Sequence, residues 1–221
     1  MNFPGQVFPT ALHIFGYLGA LVWLFWALRH LRWERLRENA FTHVYFGACV
    51  GALLLWSLQA GMPPTLHFHL LGVTVLTLMF GWRLAALAVT LILLGATVNG
   101  QGSWQSFGIN LLAMGAVPIA LSSALLHVAQ RRLPHNFFIY IYINAFLAAG
   151  ASILGTSLIG VGLLWLTGTQ TLAWLGYHYV PYFPLMAFSE AVLNGMVMTL
   201  LVTLRPGWVS SFDDNLYING K

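Results

Sequence analysis

Long apolar runs, broken by short polar or glycine-containing stretches, organise this chain. They predict spans at about 11–30, 41–60, 66–82, 84–101, 107–129, 137–166 and 181–204, most of them close to the ~20 apolar residues a helix needs to cross a bilayer and the sixth longer. Three of the breaks stand out. The third span opens with T-L-H-F-H-L-L-G (Thr65 to Gly72), the fourth ends in V-N-G-Q-G (Val98 to Gly102), and the fifth opens with G-I-N-L-L-A-M-G-A-V-P (Gly108 to Pro118). Polar breaks at the ends of apolar spans are where membrane proteins build sites, because backbone and side chains there reach both water and protein.

Composition agrees with the pattern. Hydrophobic residues make up 59% and charged residues 6% of the 221, against a charged fraction of about a quarter in soluble domains. The expectation is an all-α, polytopic membrane protein of about seven transmembrane helices, forming one transmembrane domain over residues 1–221. No Lys or Arg precedes the first apolar run, so no cleaved signal peptide is expected. The one cysteine, Cys49, excludes an internal disulfide and a CxxC metal site.

Charge adds orientation. With the predicted spans, Arg29, Arg32, Arg35, Arg37, Arg83, Arg131, Arg132, Arg205 and Lys221 all fall on one side, which the positive-inside rule assigns to the cytoplasm. The amino terminus is then outside and the carboxyl terminus inside. This topology accounts for the net charge of +4 without a nucleic-acid partner. The loop from Arg29 to Asn39 is amphipathic, with Trp33 and Leu36 able to dip into the headgroup region. Ala148, Ser152, Gly155, Gly160 and Gly162 in span six allow close helix approach.

The remaining polar residues sort by side. His30, His43, His127 and His135 lie near the inner face. His13, His67, His69 and His178 lie on the outer side with the terminal amine of Met1 and with Asn2. Imidazole suits nickel, cobalt, copper or zinc, and the lack of outer carboxylates argues against magnesium or calcium. His67 and His69 can share an ion only if their segment is extended, which Pro63 and Pro64 just upstream favour. Glu190 lies inside span seven, where a carboxylate must face protein. Asn194 shares its helix face, and Asn99, Gln101 and Asn110 are the expected partners from the central block, either in a structural network or lining a site.

The block H-L-L-G (His69 to Gly72) with L-L-G-A-T-V-N-G-Q-G-S-W-Q-S-F-G-I-N-L-L-A-M-G-A-V-P (Leu93 to Pro118) resembles the signature of the cobalt and nickel substrate-specific permease family of energy-coupling-factor transporters, the CbiM/NikM type. S-E-A-V-L-N-G (Ser189 to Gly195) and R-P-G-W-V-S-S-F-D-D-N-L-Y (Arg205 to Tyr217) resemble its last span and cytoplasmic tail. The resemblance implies seven helices, an outside amino terminus, and a metal site built from the terminal amine, the second residue's amide and imidazole, and a histidine at the position of His69. Here the chain departs from the family: Asn2 stands where the metal-binding members carry histidine. The ligand set implied is then Met1, Asn2, His67 and His69, with His13 and His178 in reserve.

The function expected is substrate capture for an importer of a divalent transition metal ion, cobalt or nickel, in the bacterial cytoplasmic membrane. Such a component works with a transmembrane coupling protein and cytoplasmic ATPases, since the chain has no GxxxxGK[ST] phosphate loop. No catalytic residue and no covalently bound cofactor are expected. A haem or quinone protein would need facing histidine pairs within the helices, and the nearest candidates, His13 and His178, lie at the edge. The remaining alternative is an accessory membrane protein that keeps the fold and has lost or changed metal binding.

Overall fold

The computed structural model describes the backbone of residues 2–31, 33–62 and 66–219, with side chains over 2–31, 33–59 and 69–217. Arg32, Pro63, Pro64 and Lys221, which entered the charge and turn arguments, lie outside the described residues, as does Met1.

Eight helices carry the architecture among these residues. They are α1 (Thr10–Arg29), α2 (Asn39–Ser57), α3 (Val73–Phe80), α4 (Trp82–Val98), α5 (Phe107–Arg132), α6 (Phe137–Leu166), α7 (Leu172–His178) and α8 (Phe183–Leu204). Between α2 and α3 lies a small antiparallel hairpin, β1 (Ala60–Met62) and β2 (Leu66–Phe68), in which Gly61 pairs with His67. Five segments are long and apolar enough to cross a membrane: α1, α2, α5, α6 and the stretch Leu172–Leu204; α4 is a shorter apolar helix. The perimeter is apolar as well. Phe15, Leu21, Val22, Phe25 and Trp26 of α1 are more than half exposed, a surface made for lipid rather than water.

The third expected span is where the structure differs from the sequence pattern. Residues 66–82 do not form one helix: Leu66–Phe68 is a strand, and α3 has only eight residues, about 12 Å of helix. Gly72, with φ +63, and Gly81, with φ +79, delimit it. Both conformations are strained for a residue with a Cβ, so the chain turns sharply into and out of α3. Every residue of α3 except Val75 is buried, and the helix sits in the middle of the bundle against α4, α5, α6 and α8.

Close approaches hold the layers together. Gly16 of α1 crosses Gly108 at the start of α5, where an added Cβ on Gly108 would lie 2.5 Å from backbone atoms of Gly16 and Tyr17. A Cβ on Gly155 would meet Leu121 of α5, and one on Gly150 would touch Ala187 of α8, so α6 packs both neighbours through small residues. Gly162, counted with that stripe in the sequence, has nothing within 4 Å of its would-be Cβ and is no part of it. α5 and α6 each contain a π-type segment, Leu112–Ala116 and Tyr140–Leu147, a local widening that recurs at functional sites.

One end of the bundle gathers the cations. Arg29 closes α1, Arg35 and Arg37 lie in the short 3-10 turn Trp33–Arg37, Arg83 opens α4, Arg131 and Arg132 close α5, and Arg205 follows α8. Arg83 stacks on Trp82 and Arg205 on Trp208. In the turn, Trp33 is exposed, whereas Leu36 packs against the core instead of facing lipid. The tail after α8 folds back here, burying Val209, Phe212 and Tyr217. Partial burial raises the Tyr217 hydroxyl's pKa above its ordinary range, partly offset by a hydrogen bond with Gln130.

The Gly16–Gly108 crossing gives a direct test. Gly108→Ala places a methyl against main chain that cannot rotate away, and the expected cost is about 3 kcal/mol or more, above the ordinary range for core overpacking. Thermal unfolding in detergent should show a clear drop for Gly108→Ala and none for Gly176→Ala, whose Cβ would meet open space.

Candidate metal site

At the end opposite the cations the first residues of the chain are drawn into the protein. Asn2 is 7% and Phe3 2% exposed, and the Phe3 ring packs edge-on against Phe8 at 5.1 Å. The segment is tied along its length. Asn110, one turn into α5, accepts from the Phe3 N–H at 2.9 Å and donates through Nδ2 to the Phe3 carbonyl and to Asn2 Oδ1. The Asn2 side-chain amide donates in turn to the Gln101 carbonyl. Ser106 Oγ donates to the Pro4 carbonyl at 3.1 Å, and Thr169 Oγ1 donates to the Val7 carbonyl at 3.0 Å. The glycine-rich break at Val98 to Gly102 and the opening of α5 thus form a cradle for the amino-terminal segment.

His69 packs on the end of α2. It is 3% exposed, its ring lies 4.9 Å from that of Trp56 at the end of α2, and Nδ1 is 3.3 Å from the Leu70 carbonyl. Gln101 Oε1 accepts from Ser57, the residue after Trp56. Asn2 and His69 are therefore connected through Gln101, Ser57 and Trp56. The backbone of His67 lies in the extended strand β2, as sharing an ion with His69 requires; its side chain is outside the described residues.

The two reserve histidines are placed differently. His13 Nε2 is 3.1 Å from the Gly5 carbonyl, so that nitrogen donates to the amino-terminal turn and helps hold it, leaving a buried Nδ1 without a partner. His178 is exposed at the end of α7, stacked on Trp174 and bonded to the Trp174 carbonyl at 3.1 Å. None of its described contacts joins it to Asn2 or His69. Among the described residues no three His, Cys, Asp or Glu side chains come together around a common point.

Glu190 supports His69 from below. Its carboxylate accepts from the main-chain N–H of Leu71 at 2.8 Å and of Gly72 at 2.7 Å, and Asn194 Nδ2 donates to it at 2.9 Å. Asn194 Oδ1 accepts from the Val75 N–H, and Trp56 Nε1 donates to the Leu71 carbonyl at 2.8 Å. The carboxylate therefore takes up donors at the amino-terminal end of α3, where a helix leaves N–H groups unpaired and favours negative charge. Asn194 is the partner expected from the sequence. Gln101 and Asn110 are not partners: they hold the amino-terminal segment instead. The donors from the central stretch turn out to be backbone N–H groups, which no side-chain pattern in the sequence marks. Asn110 and Gln101, as holders of the amino terminus, were likewise missed. The only signal for them was their place in the glycine-rich break and the G-I-N motif.

Apolar perimeter and several long apolar helices together define a multi-pass membrane protein. The chain belongs to the CbiM family, the cobalt uptake substrate-specific transmembrane region, which it matches over residues 2–208. Its fold is similar to a solved structure described as a truncated transition metal transporter, with a TM-score of 0.77 at 15% identity over 92% of this chain and 99% of that one. A second, described as a transition metal transporter, gives a TM-score of 0.76 at 14% identity over 92% and 93% of the two chains. At these identities the likeness is one of fold. None of the curated proteins matches the chain.

The Glu190 contacts change what substitution should do. Glutamine keeps one acceptor oxygen but sets an NH2 against a main-chain N–H, so Glu190→Gln should cost about 1–3 kcal/mol rather than be silent. Glu190→Leu, which leaves both N–H groups unpaired, should cost more. Unfolding curves in detergent that do not separate wild type, Gln and Leu in that order would refute this account of the carboxylate.

Proposed function

We propose that this protein is the substrate-capturing component of an energy-coupling-factor importer for a divalent transition metal ion, cobalt or nickel, in a bacterial cytoplasmic membrane. The observation that carries the reading is the amino-terminal segment: a buried arm fixed by Asn110, Gln101 and Ser106, and linked through Gln101, Ser57 and Trp56 to the buried His69. An arm held this firmly serves to deliver a terminal amine and the following amide nitrogen, which together with imidazole make a nitrogen set suited to cobalt and nickel. In this reading the ion is held by the Met1 amine, the Asn2 main-chain amide and His69, with His67 beside them. Both polar atoms of the Asn2 side chain are engaged by Gln101 and Asn110. The affinity is accordingly lower than that of a chain with histidine at this position. The same engagement favours the alternative, a protein of this fold that has given up metal.

The reading includes topology and partners. The single domain crosses the membrane seven times, the third crossing being β2, the irregular residues 69–72 and α3 in series. The amino terminus is outside and the cation end is cytoplasmic, as supported by the gathering of arginines there. Energy comes from separate chains, a transmembrane coupling protein and cytoplasmic ATPases.

Titrating the purified protein with nickel, cobalt, copper and zinc tests the site. The expected result is saturable binding that is lost in His69→Ala, strengthened in Asn2→His, and weakened on acidification, because imidazole and amine must shed protons to bind a metal. Absence of saturable binding in the wild type would leave the metal-free alternative. Topology has its own check: a reporter fused after Lys221 should be active only in the cytoplasm, and periplasmic activity would refute an odd number of crossings.

A further inference from the structure

At the cation end, where α1 stops and the chain passes from α3 into α4, three basic side chains share one cavity. His30, Arg35 and Arg83 line a space of about 220 Å3, with Gly81 and Trp82 between α3 and α4 among its other walls. Among the described residues no carboxylate lines it. The first turn of α4 forms one side and, among the same residues, carries neither an acidic side chain nor a side-chain cap. A helix start of this kind leaves main-chain N–H groups that attract an anion. Arg83 adds an independent sign. Its guanidinium lies over the Trp82 ring at 4.9 Å from the centroid, and its Nε–H is buried with no hydrogen-bond partner. A buried donor left unpaired is costly, and an anionic oxygen held in the cavity that Arg83 lines would satisfy it.

The surface next to the cavity decides what kind of anion fits. Phe15, Leu18, Gly19, Val22, Trp23 and Trp26 line an apolar groove of about 580 Å3 along α1. Trp26 joins the two spaces: it lines the groove, its ring lies 4.6 Å from that of Trp82, and its carbonyl is 3.4 Å from His30 Nδ1. Phe15, Leu18, Val22, Trp26 and His30 follow one another three or four residues apart, so groove and cavity lie along one face of α1. The first four are all more than half exposed, so the groove opens onto the lipid-facing perimeter. From Phe15 to Trp26 the helix rises about 16 Å, roughly half the ~30 Å hydrocarbon thickness of a bilayer. A groove one leaflet deep fits an acyl chain, whereas a spanning partner helix would need the full depth.

We propose that this face binds one anionic phospholipid, its phosphate in the cavity between His30, Arg35 and Arg83 and an acyl chain in the groove along α1. Two guanidinium groups match phosphate oxygens in charge and in hydrogen-bond geometry. Trp26 and Trp82 sit at the junction of headgroup and chain, the level that tryptophan rings favour in a membrane. A zwitterionic lipid offers the same phosphate but brings its own cation into a cavity that is already basic, so the site selects anionic headgroups. The lipid anchors α1 at the end opposite the amino-terminal arm. This site is independent of the metal-capture reading.

Native mass spectrometry of the full chain, delipidated in detergent and titrated with phosphatidylglycerol or phosphatidylcholine of identical acyl chains, reads both halves of the site. The expected result is one phosphatidylglycerol held at least about tenfold more tightly than phosphatidylcholine. Arg35→Gln with Arg83→Gln should erase that preference. Arg131→Gln with Arg132→Gln, which removes the same charge from the same end but outside the cavity, should keep it. Val22→Trp, at a 70% exposed position of the groove, should weaken both lipids without altering thermal unfolding, and so tests the proposal even if an arginine variant fails to fold. Equal retention of the two lipids by the wild type, equal loss of preference in the Arg131 and Arg132 variant, or undiminished retention in Val22→Trp overturns the lipid site. Displacement of the lipid by equimolar inorganic phosphate overturns it as well, and assigns the cavity to free phosphate.

Discussion

A broken helix inside a membrane protein leaves main-chain N–H groups with no water to satisfy them, and the grip of Glu190 on Leu71 and Gly72 resolves that constraint here. An unpaired buried N–H costs about 1–3 kcal/mol, and at the start of α3 several donors converge. One carboxylate, aided by Asn194, serves three N–H groups directly or through its neighbour, and in doing so joins α8 to the stretch that carries His69. The only acidic residue within the apolar spans is thus explained by backbone chemistry. The same contact lets residues 69–72 stay irregular.

The second constraint is steric. The amino-terminal arm reaches Asn110 because α1 and α5 cross almost backbone to backbone at Gly16 and Gly108. Asn110 follows Gly108 by two residues, so the crossing that brings the helices together also sets the asparagine against Phe3. Any side chain at position 108 would separate the helices and lift the arm out of its cradle. Fold and site are coupled here through a single missing Cβ.

Much of the architecture was legible in the chain itself. Apolar runs longer than a bilayer is thick can form little else than spanning helices, and α1, α2, α5, α6 and α8 begin and end within a few residues of the runs that predict them. The collection of arginines at one end follows from the same pattern, because charges are confined to the breaks between runs. The family was legible too, in the glycine-rich break, the G-I-N motif and the tail. The extended backbone at His67 was readable from the two prolines before it.

The break at residues 66–72 was not legible, because T-L-H-F-H-L-L-G-V-T-V-L is as apolar as a helix and gives no periodic sign that only its second half is helical. Whether such a segment coils or extends depends on partners that lie more than a hundred residues away, Glu190 and Asn194 on one side and Ser210 and Ser211 on the other. The same holds for Asn110 and His13, whose side chains were read as a network partner and a reserve ligand and are spent on holding residues 2–5, and for Gln101, which holds Asn2 through its main-chain carbonyl. Hydropathy and charge act along the chain and are additive, so the sequence alone determined class, the long apolar helices and family. Hydrogen bonding in a water-poor core is pairwise and specific, so only the tertiary structure could decide which polar group meets which, and with that where the backbone breaks and what surrounds His69.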